Sequence, residues 1–189
     1  PVRQFYKKEQ WYEKYVDYNE FEQNFTFVTR QVEESIILKS LEKFENVKVA
    51  EISHSRNEYF KSICKFIKKH KGVFITIDYG YKNPPDHFSL QTIYHHKKTH
   101  LFENIGNQDI TAHVNFDELI SIANQYNLKI DTFCTQKDFL ISYGIRERMQ
   151  NLQKNRTEKS IKNLNSAYDR LLDKSQMGEI FKVLVVSCF

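Results

Sequence analysis

Three polar side chains that could act together stand two residues apart in the chain: Asp109, Thr111 and His113. They interrupt an apolar alternation, so an extended backbone would turn all three to one face. A carboxylate in that position could pair with a guanidinium, and a histidine could accept a proton near neutral pH. A turn-stabilising Asp, a strand Thr and a hydrogen-bonded core His would explain the same pattern without function, and such repeats are common on half-buried strands.

A second candidate lies upstream, where Asp78, Tyr79 and Gly80 follow the apolar run 73–77. The run is rich in β-branched and aromatic residues, which predicts a strand buried on both faces. Open α/β sheets bind ligands outside the carboxyl ends of their strands, so Asp78 stands where a ligand would be expected. A carboxylate that caps the next turn is the other explanation, and the residues alone leave both open.

Composition limits the class of protein. The chain has 189 residues, is 40% hydrophobic and carries a formal net charge of +4, which fits one domain or most of one. The basic residues are spread out apart from the runs at 68–71 and 95–98, and such runs are more often solvated faces than a nucleic-acid surface. No apolar run approaches the roughly 18 residues that span a bilayer. We therefore expect a globular protein that neither binds nucleic acid nor crosses a membrane.

Cysteine and histidine spacing argues against a metal site. The three cysteines form no C-x-x-C pair and lie in apolar segments, which indicates buried thiols in a reducing compartment. Four histidines fall within the segment 87–100, but neither an H-E-x-x-H spacing nor a thiolate cluster accompanies them. We expect no metal.

The elements that must position these residues alternate between helices and strands. Ser53 or Ser55 is expected to cap a helix that ends at Gly72, with Tyr59, Ile63, Phe66 and Ile67 on its inner face. Asn115 is expected to cap another, and 81–106 is predicted to be a long loop. The remaining predictions are an aromatic hairpin around Asn19, helices at 34–44, 137–143 and 146–174, and extended segments at 47–52, 128–133 and 180–187.

Several of these segments together resemble the MidA family of S-adenosylmethionine-dependent methyltransferases, which includes mitochondrial arginine methyltransferases needed for respiratory complex I assembly. The resemblance covers nearly the whole chain. Asn115 replaces an Asp usual in the family, His54 a Pro, and Ser89 a commoner Thr. The matching segments are Pro1–Phe5, Glu51–Ser53, Ile75–Gly80, Ser89–Gln91 with His96, Asp109–His113, Gln136 with Phe139, Leu140 and Gly144, and Met177–Lys182.

The resemblance implies an α/β fold, namely the C-terminal part of a class I (Rossmann-like) methyltransferase sheet. It comprises the last parallel strand, two closing strands and family-specific inserts. Residues 1–46 would be an insert and 47–189 the late strands, helices and cleft loops. The five glycines include no G-x-G pair, so the main S-adenosylmethionine loop is expected outside this chain. The fragment alone is expected to be inactive, and a separate polypeptide would carry the N-terminal half.

The resemblance also implies roles for individual residues. Asp109 and His113 would be catalytic and would serve a substrate arginine. Thr111, Gln136 and His96 would bind the substrate, while Asp78, Tyr79 and Gly80 would shape the cleft beside the cofactor. The substrate would be a protein, by family a complex I subunit, in the bacterial cytoplasm or alternatively the mitochondrial matrix. A non-catalytic interaction module and a remnant of a split gene are the alternatives.

Overall fold

The computed structural model describes residues 2–95 and 97–189. Eleven strands and six α-helices are present in these residues. The strands are β1 Arg3–Lys7, β2 Trp11–Asn19, β3 Asn24–Gln31, β4 Val49–Ile52, β5 Gly72–Tyr81, β6 Gln91–Tyr94, β7 Lys97–Thr99, β8 Asp109–Thr111, β9 Val114–Asn115, β10 Lys129–Thr135 and β11 Phe181–Cys188. The helices are α1 Ser35–Leu41, α2 His54–His70, α3 Phe116–Gln125, α4 Gln136–Ser142, α5 Ile145–Gln153 and α6 Glu158–Leu172.

The chain divides into two compact units. The hairpin unit consists of Pro1–Tyr59 and Lys82–Asn115, and the meander unit consists of Phe60–Tyr81 and Phe116–Phe189. The fold is a mixed α/β fold with several sheets.

The main sheet of the hairpin unit is antiparallel, in the order β3-β2-β1-β4. The long hairpin β2–β3 confirms the predicted aromatic hairpin, which turns after Asn19. Because side chains alternate between the faces of a strand, the strand register places Glu51, Gln4, Lys14 and Thr29 in one row across the sheet. We call the face that carries this row the polar face, although strand alternation also places Val16, Phe25 and Phe27 of β2 and β3 on it.

The opposite face of that sheet carries the core of the hairpin unit. The helix predicted at 34–44 is confirmed as α1, followed by a 3₁₀ turn at Glu42–Phe44, and its apolar spacing supplies Ile37, Leu41 and Phe44. These residues belong to one buried cluster. Its members are Phe5, Trp11, Val32, Ile37, Leu41, Phe44, Ala50 and Ile52.

The segment predicted as a long loop contains a small sheet instead. Strands β6 and β7 form a hairpin, and β8 pairs with β6 on its other side, giving the order β7-β6-β8. The polar composition of the segment 81–106 gave no sign of β6 and β7, because each of these strands has no more than four residues. β8 ends at Thr111, so Asp109 and Thr111 lie on this strand and His113 follows beyond its end.

In the meander unit, β11 pairs antiparallel with both β10 and β5. The strands β5 and β10 therefore run in the same direction on either side of β11. The three strands coincide with the extended segments predicted at 73–77, 128–133 and 180–187, although β5 is longer than expected at both ends. The polar helical stretch at 146–174 divides into α5 and α6.

Strand β5 is not buried on both faces, contrary to the prediction. Its side chains alternate: Phe74 contacts Phe60 of α2, with ring centroids 5.9 Å apart, while Val73, Ile75 and Ile77 are 51%, 51% and 44% exposed. A run of apolar residues does not distinguish one covered face from two. We call Val73, Ile75 and Ile77 the outer row of β5.

The inner face of α2 is also shifted from the predicted one. Phe60, Cys64 and Ile67 are buried at helical spacing, whereas Tyr59 and Phe66 are mostly exposed. The helix is capped at Ser53, whose hydroxyl accepts a hydrogen bond from the Arg56 backbone nitrogen at 3.3 Å. At its other end both Lys71 and Gly72 have positive φ, 65° and 129° respectively.

Candidate functional site

A hydrogen-bond network centred on Glu51 organises the polar face of the hairpin unit. The buried carboxylate accepts hydrogen bonds from the Gln4 side-chain amide at 2.7 Å and from the Ser89 backbone nitrogen at 3.1 Å. The Ser89 hydroxyl also donates to it. The same hydroxyl accepts a hydrogen bond from the His113 backbone nitrogen at 2.8 Å. Glu51 therefore fixes two points of the 82–115 segment, at Ser89 directly and at His113 through Ser89.

The strand register explains why a carboxylate is tolerated in this position. Gln4 lies directly opposite Glu51, so its amide reaches the carboxylate across one strand pair. A buried charge is costly unless hydrogen bonds satisfy it, and this carboxylate has donors from β1 and from the segment at Ser89. The arrangement makes the position of His113 dependent on a buried group in β4.

Asp109 and Thr111 lie on β8, one on either side of Ile110. Strand alternation turns both to the same side, with Asp109 opposite Ile93 and Thr111 opposite Gln91. The Asp109 side chain is exposed. Among the described residues, the buried Thr111 hydroxyl oxygen has no hydrogen-bond partner. The exposed Asp109 carboxylate and the buried Thr111 hydroxyl therefore lie on the strand that precedes His113, whose backbone nitrogen is held by Ser89.

The other candidates belong elsewhere. His96 lies outside the described residues. Asp78, Tyr79 and Gly80 are in the meander unit, within β5 rather than after it, because β11 pairs with the strand as far as Tyr79. The exposed Asp78 carboxylate accepts a hydrogen bond from the Tyr79 backbone nitrogen at 2.8 Å. The Tyr79 ring packs on Phe181, with centroids 4.1 Å apart.

Gln136 is buried at the start of α4. Its side-chain nitrogen donates to the Leu171 carbonyl oxygen in α6 at 3.0 Å. This bond links two helices of the meander unit, α4 and α6.

An ion-paired cluster lies on the core side of the main sheet. Arg3 donates two hydrogen bonds to the Glu13 carboxylate, both at 2.5 Å, and the Tyr15 hydroxyl donates a third at 2.5 Å. Burial alone would raise the pKa of Glu13, but the bonds from Arg3 and Tyr15 outweigh it and hold the pKa below its usual range. The same pair raises the pKa of Arg3. Sequence spacing did not reveal this cluster, because it depends on the register between β1 and β2.

The three cysteines are free, but only Cys64 is buried, whereas Cys134 and Cys188 are half-buried. The expectation of three buried thiols was therefore too strong. In residues 2–95 and 97–189 no group of three or more His, Cys, Asp or Glu side chains is arranged to hold a metal ion. None of the helices described there is long and apolar enough to span a membrane.

Comparison with known proteins identifies the family. Residues 1–134 match the family model described as "Putative S-adenosyl-L-methionine-dependent methyltransferase". No curated protein sequence matches the chain significantly.

Two crystal structures from Burkholderia thailandensis share the fold. One is an uncharacterized COG1565 superfamily protein, with a TM-score of 0.85 and 22% identity. The other is described as a "COG1565 superfamily member and likely methyl transferase" and has S-adenosyl-homocysteine bound, with a TM-score of 0.85 and 23% identity. All of this chain is covered, but only 52% and 50% of those chains, so it spans about half their length. Because the family model covers most of the chain, the chain belongs to this family of S-adenosylmethionine-dependent methyltransferases, the family that its motifs resemble.

Proposed function

We propose that the chain is the C-terminal, substrate-side portion of a protein arginine N-methyltransferase that acts on a respiratory complex I subunit. In this proposal residues 1–46 are an insert, and 47–189 supply the last strands of a Rossmann-like sheet. The arrangement of β5, β11 and β10 supports this, because two parallel strands flank an antiparallel one, as expected for one late parallel strand and two closing strands. Family membership supports the reaction class.

The observation that carries the proposal is the anchoring of His113 through Ser89 to the buried Glu51. An arginine guanidinium stays protonated in proteins, so an enzyme that methylates one of its nitrogens needs a side chain that accepts the guanidinium proton. In our proposal the exposed Asp109 carboxylate pairs with the substrate guanidinium, and His113 accepts the proton released when the nitrogen is methylated. Thr111, whose hydroxyl lacks a partner among the described residues, would donate or accept a hydrogen bond on the same side.

The described residues do not by themselves fit S-adenosylmethionine. The glycines at 72, 80, 106, 144 and 178 are all isolated, so the sequence contains no G-x-G loop, whose backbone could closely approach a nucleotide-like cofactor. The two adjoining cavities that contain Lys14 carry lysines and no Asp or Glu among their described wall residues, and a lysine ammonium repels a sulfonium cation. We therefore propose that the main cofactor loop lies outside this chain, with Asp78, Tyr79 and Gly80 beside it.

A non-catalytic interaction module, or the remnant of a split gene, is the second candidate. The outer row of β5 favours it, because Val73, Ile75 and Ile77 offer an apolar strip to another polypeptide.

Calorimetric titration separates these functions. S-adenosylmethionine would be titrated into the chain alone, and into the chain mixed with the half of a family member that carries the Gly-rich loop. We expect binding only in the mixture, with methylation of an arginine-containing protein substrate. In that mixture Asp109→Asn and His113→Ala should each lower the methylation rate at least tenfold, whereas Asp117→Asn, an exposed carboxylate on α3, should not. Unchanged rates in both site variants would refute their assigned roles, and binding to neither preparation would favour the interaction module.

A further inference from the structure

An apolar cavity opens on the polar face of the main sheet in the hairpin unit. Its volume is about 360 Å³, which is within the range of small-molecule sites. Much of its wall remains in contact with solvent: Val16, Phe25 and Ile110 are 54%, 40% and 62% exposed. The principal wall residues are Val16, Phe25, Phe27, Leu101, Phe102 and Ile110.

Aromatic contacts hold this wall in shape. Phe102, from the segment between β7 and β8, packs against Phe27 and Phe25 of the hairpin, with ring centroids 4.9 and 6.2 Å apart. The segment and the hairpin therefore form two sides of one concave surface within the unit.

A second cavity of about 360 Å³ adjoins the first and is more polar. Gln4, Lys14 and Phe27 line both cavities. The second adds Lys98 and His100 to its wall. Among the described wall residues of the two cavities the charged side chains are lysines, and no Asp or Glu is present.

Lys14 stands at the junction of the two cavities without an anionic partner among the described residues. Its ammonium nitrogen lies 3.7 Å from the ring centroid of Phe27 and 5.4 Å from that of Phe88. Burial lowers its pKa, as expected for a cation that has lost water without gaining a carboxylate. Arg3, on the other face of the same sheet, is by contrast paired with Glu13.

We propose that this pair of cavities binds an aliphatic carboxylate. The alkyl chain would occupy the apolar cavity, and the carboxylate would lie at Lys14, facing Lys98 in the second cavity. Each part of this ligand suits the cavity that it would occupy. The alkyl chain would displace water from the aliphatic and aromatic wall, and the carboxylate would pair with a lysine ammonium. Ile110 lines the apolar cavity from the face of β8 opposite to Asp109 and Thr111, and the proposed binding does not depend on methyl transfer.

Titration of sodium dodecanoate into the purified chain, below its micellar concentration, tests this. Dodecanol and dodecyltrimethylammonium are the matched probes, since they share the alkyl chain and differ in the head group. We expect dodecanoate to bind at least tenfold more tightly than dodecanol, and dodecyltrimethylammonium more weakly than either. This ranking is measured on the unaltered chain, so it does not depend on any variant folding.

Two variants then locate the site. Lys14→Met keeps the apolar stem and should weaken dodecanoate binding at least tenfold while leaving dodecanol binding unchanged. Lys8→Met, beyond the end of β1, should change neither. Absence of dodecanoate binding, equal binding of the cationic probe, or full binding by a folded Lys14→Met chain would overturn the proposal. So would a stable dimer in sedimentation that excludes dodecanoate, because a second copy would then cover the wall.

Discussion

Ser89 binds the Glu51 carboxylate twice, through its backbone nitrogen and through its hydroxyl. The two residues are 38 positions apart in sequence, and both are buried. The contact joins the main sheet of the hairpin unit to the segment that carries β8. Since the same hydroxyl receives the His113 backbone N–H, one serine connects the sheet with the candidate site.

Removal of the Glu51 carboxylate should therefore destabilise the hairpin unit. Glu51→Ala leaves the Gln4 amide and both Ser89 donors without their acceptor, which costs about 1–3 kcal/mol in the free energy of unfolding. Urea denaturation followed by circular dichroism measures the loss. Glu33→Ala, at an exposed glutamate, is the control and should change stability by no more than about 0.5 kcal/mol.

A double-mutant cycle with Ser89→Ala isolates the pair. Because both variants break the same hydrogen bonds, their combined cost should fall short of the sum by about 0.5–3 kcal/mol. Strict additivity would show that Glu51 and Ser89 contribute independently, contrary to the network described above.

The Arg3–Glu13–Tyr15 cluster predicts a specific dependence of stability on pH. The folded state lowers the pKa of Glu13, so the unfolded state binds the proton more readily. The stabilisation is present above the unfolded pKa of about 4.3 and is lost as the pH falls through the lower, folded-state value. Urea denaturation at a series of pH values from 6 down to 3 measures it.

Glu13→Gln supplies the comparison for that titration. This variant cannot ionise, so its stability should fall less steeply below the ordinary glutamate pKa than that of the unaltered chain. Identical slopes would mean that Glu13 has the same pKa in both states.

Gly178 lies where the chain leaves α6 and turns toward β11. A Cβ atom there would be 2.2 Å from the Leu172 carbonyl oxygen, and the Gly178 N–H donates to the Asp173 carbonyl at 3.0 Å. Gly178→Ala should lower the free energy of unfolding by about 1–3 kcal/mol, because the helix end must move to admit the methyl group. Gly106→Asn is the control: Gly106 has φ of 82° and open space around it, and asparagine tolerates this conformation. An alanine variant as stable as the original chain would show that this turn yields easily.

The thiols of Cys64 and Cys188 should react at different rates in the native chain. Burial raises the pKa of Cys64 to about 11, so its thiolate is scarce and inaccessible at pH 8. Cys188 is half-buried near the end of the chain, and the Lys71 ammonium lies 3.4 Å from its sulfur. We expect Cys188 to react with a disulfide reagent much faster than Cys64, and Cys188→Ser to remove the fast phase. Equal rates before unfolding would contradict the packing of α2.

Local patterns predicted most elements of this chain but not their register. The apolar spacing of α1 and the β-branched run of β5 are properties of adjacent residues, and both elements form where expected. The row of Glu51, Gln4 and Lys14 depends on pairing among β4, β1 and β2, to which no short window of sequence refers. The motif at 109–113 could be recognised because its residues are adjacent in sequence. The anchoring of His113 by Ser89 could not, because these two residues are far apart in sequence. The inner face of α2 was misassigned because Tyr59 and Phe66 are as apolar in composition as Phe60 and Cys64.

Substitutions in the outer row of β5 should change the association between chains more than they change the free energy of unfolding. Val73, Ile75 and Ile77 keep about half of their surface in water, so they contribute less to folding than their composition suggests. Replacing Ile75 with threonine should therefore cost little unfolding free energy, since threonine retains the β-branched shape that suits a strand. The same replacement removes apolar surface that promotes association between chains. Variants ranked by expression yield and variants ranked by melting temperature would consequently fall in different orders at these three positions.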